Sequence, residues 1–175
     1  LGSDFPKENR PVFYMPQTKM NAKWKEPENA SGRERMLDTV NKLLKMHEND
    51  KGIIHTGNFQ IAEWLVENLE GNVNHTIYHH NPDVGDDRNA VITAFTGDPK
   101  PSVLISPSST EGLDLKGDLG RFAIFAKTPF GYLGDQWIKR RMEMSLRWYH
   151  RRALIDIIQG GGRIVRSDDD WGTVY

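Results

Sequence analysis

Two arginines, Arg163 and Arg166, stand three residues apart in the segment Gln159-Gly-Gly-Gly-Arg-Ile-Val-Arg, the part of the chain best suited to handling phosphate. On a helical turn, residues three apart face the same way, and each planar guanidinium can engage phosphate oxygens through two parallel N–H bonds. The competing reading is structural: Gly160 to Gly162 stop a helix, and the arginines pair with Asp168, Asp169 and Asp170. Surface pairs of that kind are common and contribute only about 0–1 kcal/mol each. A second polar segment, Ser-Ser-Thr-Glu-Gly-Leu-Asp, follows an apolar run and offers Glu111 and Asp114 three apart around Gly112. These carboxylates can hold arginines in place or accept a ribose hydroxyl, while Ser109 and Thr110 can bond a nucleic-acid phosphate. A solvated turn is the alternative. His55, Thr56 and Asn58, behind the run Gly-Ile-Ile, present the same choice.

Lys139, Arg140, Arg141, Arg147, Arg151 and Arg152 are interleaved with Trp137, Trp148 and Tyr149 in one helical pattern. Phosphate contacts with base stacking are one reading of that mixture. A helix with an aromatic core face and a solvated basic face is the other. Two absences narrow the chemistry. No segment matches G-x-x-x-x-G-K-[ST], so these residues cannot cradle a nucleotide in the usual phosphate-loop manner and would have to act on one across a cleft. No His pattern of the zinc-binding kind occurs, and adjacent His79 and His80 do not share one face of a strand, so no metal is assigned.

These residues need elements to position them. The stretch to Asn29 is punctuated by Pro6, Pro11, Pro16 and Pro27, with Pro-Val-Phe-Tyr-Met as an extended leading strand. From Ser31 the apolar residues Met36, Val40, Leu43, Leu44 and Met46 recur at helical spacing, with Ser31 and Glu34 as a capping box. Strand candidates follow in Lys-Gly-Ile-Ile-His-Thr-Gly, Asn-His-Thr-Ile-Tyr-His-His, Pro-Ser-Val-Leu-Ile-Ser-Pro-Ser-Ser and the apolar run Phe-Ala-Ile-Phe-Ala-Lys-Thr-Pro, stopped by Pro129. Between them lie helical patterns carrying Ile61, Leu65 and Leu69, then Asp86 to Asp98. A long helix is expected from Gln136 to Gln159, ended by the three glycines. Alternating short strands and amphipathic helices predict an α/β fold in three layers, a mainly parallel sheet with helices on both faces and ligands at the strand C-termini.

A length of 175 residues suits one domain over 1–175, and 37% hydrophobic with 27% charged residues describes a foldable globule. The net charge of −1 excludes a uniformly basic coat. The lack of cysteine excludes disulfides, thiolate metal sites and an iron–sulfur cluster within these residues. Neither a membrane span nor a secretory leader is legible, so an intracellular location is expected, with no membrane partner.

In order and spacing, three of these segments resemble the second, C-terminal RecA-like motor domain of XPD/DinG-type superfamily 2 DNA helicases. Gly-Ile-Ile-His-Thr-Gly-Asn looks like motif IV, although His55-Thr56 stand where the family usually has a Ser or aromatic pair. Val-Leu-Ile-Ser-Pro-Ser-Ser-Thr-Glu-Gly-Leu-Asp resembles motif V, and Gln159, Gly162, Arg163, Arg166, Asp170 and Gly172 match motif VI. The resemblance extends over nearly the whole chain and implies ATP with Mg2+, bound between this domain and a Walker-bearing N-terminal RecA-like domain lying outside these residues. It implies catalytic roles for Arg163, Arg166 and Gln159, and nucleotide contacts from Glu111, Gly112, Asp114, Gly162 and Asp170. Contacts to single-stranded DNA would come from His55, Thr56, Asn58, Ser109 and Thr110, in a motor that translocates and unwinds in DNA repair or replication. A non-catalytic nucleic-acid-binding module on the same fold is the alternative. A free-standing hydrolase is disfavoured because no G-x-S-x-G nucleophile elbow is present. The 175-residue chain alone should hydrolyse ATP no faster than background. Steady-state phosphate release with and without DNA checks this, and DNA-stimulated turnover would contradict it.

Overall fold

The sheet is built from runs of two to five residues whose neighbours point to opposite faces, and both faces are covered. In the computed structural model, which describes residues 6–21, 23–82, 85–107 and 113–175, five parallel strands lie in the order β2-β3-β1-β4-β5. They are β1 Gly52–His55, β2 Thr76–His79, β3 Ser102–Ser106, β4 Phe122–Phe125 and β5 Thr173–Val174. Central β1 pairs Ile53 with Leu104 of β3 on one side and Ala123 of β4 on the other. Ser109, Thr110, Glu111 and Gly112 fall outside the described residues.

Strand alternation divides the core in two. Ile54, Val103, Ile105, Phe122 and Ile124 face helices α1 (Ala30–Met46) and α2 (Phe59–Leu69), packing with Val40, Leu44, Ile61 and Leu65. Ile53, Leu104 and Ala123 face the other way. There they meet Phe95 of α3 (Arg88–Gly97) together with Leu113, Leu115, Ile164 and Val165. The three-layer α/β arrangement expected from the sequence is therefore present. Among the described residues no helix is long and apolar enough to cross a membrane.

Several local expectations are corrected. α1 starts at Ala30, not after a Ser31 cap. A short 3-10 turn, Pro27–Asn29, runs straight into the helix, and the Pro27 carbonyl accepts the Ala30 N–H. Met46 is exposed because it lies outside the arc of Met36, Val40, Leu43 and Leu44. His47, four residues after Leu43, takes the next inward place and stacks on Phe122 at 4.6 Å. The leading strand reduces to one parallel bridge, Val12 to Val174. The long helix is two helices, α4 (Gln136–Met144) and α5 (Leu146–Gly161), meeting at extended Ser145, whose Oγ accepts the Trp148 N–H and caps α5.

The second of these helices does end within the three glycines, as expected: Gly160 and Gly161 are the last residues of α5 and Gly162 is its cap. Their role is close approach. A Cβ on Gly160 would come within 2.9 Å of the Phe125 ring and 3.4 Å of His55 Nε2, and one on Gly161 within 3.0 Å of Val174. The end of α5 thus rests directly on the ends of β1, β4 and β5. Gly160→Val should force α5 off Phe125 and destabilise the chain by about 1–3 kcal/mol through overpacking. A thermal melt measures this, and an unchanged midpoint would contradict the contact.

Candidate functional site

Two non-helical segments, 113–117 after β3 and 163–170 after α5, run side by side over the second face of the sheet. Their anchors are apolar. Leu113, Leu115, Ile164 and Val165 are all buried, and this inward set leaves Asp114, Arg163 and Arg166 facing outward. The segments are joined by a bond from the Leu115 N–H to the Arg163 carbonyl, 3.3 Å. Gly120 and Gly172 make room for Ile164, since a Cβ on either would lie within 3 Å of it.

On this base, Arg166 Nε donates to Asp114 Oδ1 at 2.8 Å, and Arg163 Nη1 reaches the Leu113 carbonyl at 3.4 Å. The Arg166 side chain is about 35% exposed and Asp114 65%. No described residue accepts from the two terminal nitrogens of Arg166. The arginines do not sit on a helical turn as the spacing suggested, because α5 ends before them. Nor does either guanidinium pair with Asp168, Asp169 or Asp170.

Asp170 does something else. It is only 5% exposed, and each oxygen accepts two bonds. Oδ1 accepts from Arg121 Nη1 at 2.9 Å and the Trp171 N–H at 3.0 Å. Oδ2 accepts from the Arg166 N–H at 3.1 Å and the Gly117 N–H at 3.2 Å. Burial pushes its pKa up, but the backbone donors of Gly117, Arg166 and Trp171 and the Arg121 guanidinium together pull it below 3.8. Any influence of Asp170 on a nucleotide therefore runs through the loops it holds. Arg121, which the sequence did not single out, also pairs with Asp118 at 2.7 Å and lies 4.6 Å over the Trp171 ring. The only local hint was an arginine immediately before an apolar strand.

The remaining residues divide by exposure. Gln159 and Gly162 are exposed at the end of α5, beside Arg163 in the chain. His55 and Thr56 are interior. The His55 ring stacks on Phe125 at 4.6 Å, and Thr56 Oγ1 donates to the Asn58 carbonyl at 3.0 Å. Asn58 caps α2, its Oδ1 accepting the Ile61 N–H at 2.8 Å, after Gly57 turns the chain with φ of 74°. Among the described residues, no cluster of His, Asp and Glu could hold a metal ion by itself.

A family model described as helicase C-terminal domain matches residues 35–175. The chain belongs to that family. This is the level at which the resemblance drawn from the three motifs holds. Among solved structures, the C-terminal part of the Fun30 ATPase domain is similar to this helicase C-terminal domain, with a TM-score of 0.55 and 16% identity. The similarity covers 89% of this chain and 42% of that one, and at such identity it shows the fold, a three-layer RecA-like arrangement. The chain spans less than half the length of that structure. A search of curated proteins found no match.

Asp170→Asn should cost about 3 kcal/mol at neutral pH, because it leaves Arg121 and three backbone N–H groups without their charged acceptor. The folded-state pKa of Asp170 lies below its unfolded value, so the stabilisation is present above about pH 4 and is lost as pH falls through the folded value. Melts of parent and variant at neutral and strongly acidic pH should therefore converge on the acid side. A constant gap would contradict this.

Proposed function

We propose that this helicase C-terminal domain is the second motor half of an ATP-dependent DNA helicase of the XPD/DinG type. ATP with Mg2+ would bind between it and a Walker-bearing N-terminal RecA-like domain of the same protein. One observation carries the reading: Arg166 is oriented by Asp114 through Nε, on a segment anchored by Ile164 and Val165, and no described residue accepts from its terminal nitrogens. A guanidinium fixed in this way can meet a γ-phosphate with little loss of side-chain freedom, which is what a charge-stabilising group requires.

In this reading Arg163 and Arg166 stabilise charge on the transferring phosphoryl group, and exposed Gln159 positions the phosphate or the attacking water. Asp114, with Glu111 and Gly112, would hold Arg166 or meet the ribose, and Gly162 lets the backbone come close. Asp170 positions the arginine segment from beneath. Single-stranded DNA would cross the C-terminal ends of β1 and β3, touching the turn at Asn58 and the segment with Ser109 and Thr110. The burial of His55 and Thr56 gives those two a supporting part under that turn. Closure on ATP and opening after hydrolysis would move the strand-contacting loops relative to the partner domain, in steps along one strand.

In the protein carrying both motor halves, Arg163→Ala or Arg166→Ala should lower DNA-stimulated ATP turnover about a thousandfold or more, with a nearly unchanged melt. Asp114→Ala should lower it less, since it frees Arg166 without removing the charge. Steady-state ATPase assays beside thermal melts test this. An arginine variant that melts normally and turns over at the parental rate would reduce the pair to a surface contact worth under about 1 kcal/mol.

A further inference from the structure

The corner formed by α4 and α5 carries charge that the chain does little to neutralise. Between 135 and 158 there are six cations and three carboxylates, in a chain whose net charge is −1. Asp135 is engaged in capping α4, and Asp156 pairs with Arg152 at 3.4 Å. Lys139, Arg140, Arg147 and Arg151 are exposed, and their side chains donate no hydrogen bond to, and form no ion pair with, any described residue. Their placement works against the helices. Arg147 and Arg151 are like charges four apart, and Arg147 lies in the first turn of α5, at the positive end of its dipole.

The aromatic groups point the same way. Tyr149 accounts for the aromatic core face: its hydroxyl donates to the Gly131 carbonyl at 2.8 Å, and its ring stacks on Phe130 at 5.1 Å. Trp148 is covered by Arg141, 5.2 Å from its ring. Trp137 is covered by nothing comparable, and 81% of it is exposed. It lies three residues before Arg140, so the indole and that guanidinium share one side of α4. An uncovered indole beside unpaired guanidinium groups matches the two things an unpaired strand presents, phosphates and open base faces. An acidic protein surface would answer the charge and leave the indole face unexplained.

We propose that the outer surface of α4 and α5 is a binding site for single-stranded nucleic acid, with Arg140, Arg147 and Arg151 on phosphates and a base stacked on Trp137. The site is separate from the Arg163–Asp114 surface and needs no nucleotide. It shares with the proposed function only the strand as partner.

The test is fluorescence anisotropy with the 175-residue chain and a labelled single-stranded oligonucleotide of about twenty nucleotides, over a range of salt. Replacing Arg140, Arg147 and Arg151 with alanine together should weaken binding about tenfold or more at low salt and reduce the salt slope by about 2. Trp137→Ala should weaken it about fivefold or more with an unchanged slope. Removing three cations elsewhere, by Lys25→Ala, Lys42→Ala and Lys45→Ala, should have little effect. Four results overturn the proposal: parental affinity in the triple arginine variant, parental affinity in Trp137→Ala, equal loss in the lysine control, or no strand binding by the parent at low salt. None of these bears on the arginine pair, which ATP turnover by the two-domain protein judges independently.

Discussion

Asp170 is buried beneath the surface that carries the arginines, and four donors from three parts of the chain converge on it. A carboxylate taken out of water is costly unless its oxygens are satisfied, so the donors cannot drift without a large loss. Gly117 comes from the segment after β3, Arg121 from the start of β4, and Arg166 and Trp171 from the approach to β5. Holding these together fixes where Asp114 and Arg166 meet. The outward-facing pair thus depends on an inward-facing acid.

The same surface depends on the alternation of the strands. Because Ile53, Leu104 and Ala123 point away from α1 and α2, the sheet has a second apolar face, of which α3 covers a part. Leu113, Leu115, Ile164 and Val165 close it. Segments that would otherwise be mere connections are therefore packed as firmly as a helix would be, and their polar side chains are presented from a fixed base. Anchoring of this kind limits motion within the domain, so the movement in the proposed motor has to occur between domains.

The α4–α5 corner follows a different logic. Its inner side is settled by Tyr149, Phe130 and Ala153, while its outer side holds uncompensated cations and an uncovered indole. Stability alone would favour acids in the first turn of α5 and an i,i+4 partner for Arg151. Its surface chemistry makes sense when an external anion is included.

Much of the fold was legible in the sequence. β-branched runs between amphipathic helices specify a parallel sheet covered on both faces, and Ile61, Leu65, Leu69 and Leu44 fell inside as their spacing required. The order of the three polar segments was enough to place the chain in its helicase family. What it could not show was which polar groups face inward. His55 and Thr56 look available after a strand, yet Gly160 allows α5 to settle against the end of β1, where the His55 ring lies. The single long helical pattern concealed a corner, because Ser145 can cap a new helix as readily as it can sit within an old one. The sequence by itself determined the layers and the candidate arginines, since those follow from local periodicity and residue type. Tertiary structure alone decided that Arg166 turns to Asp114 and Asp170 to Arg121, because residues about fifty apart meet only once the second face of the sheet has closed.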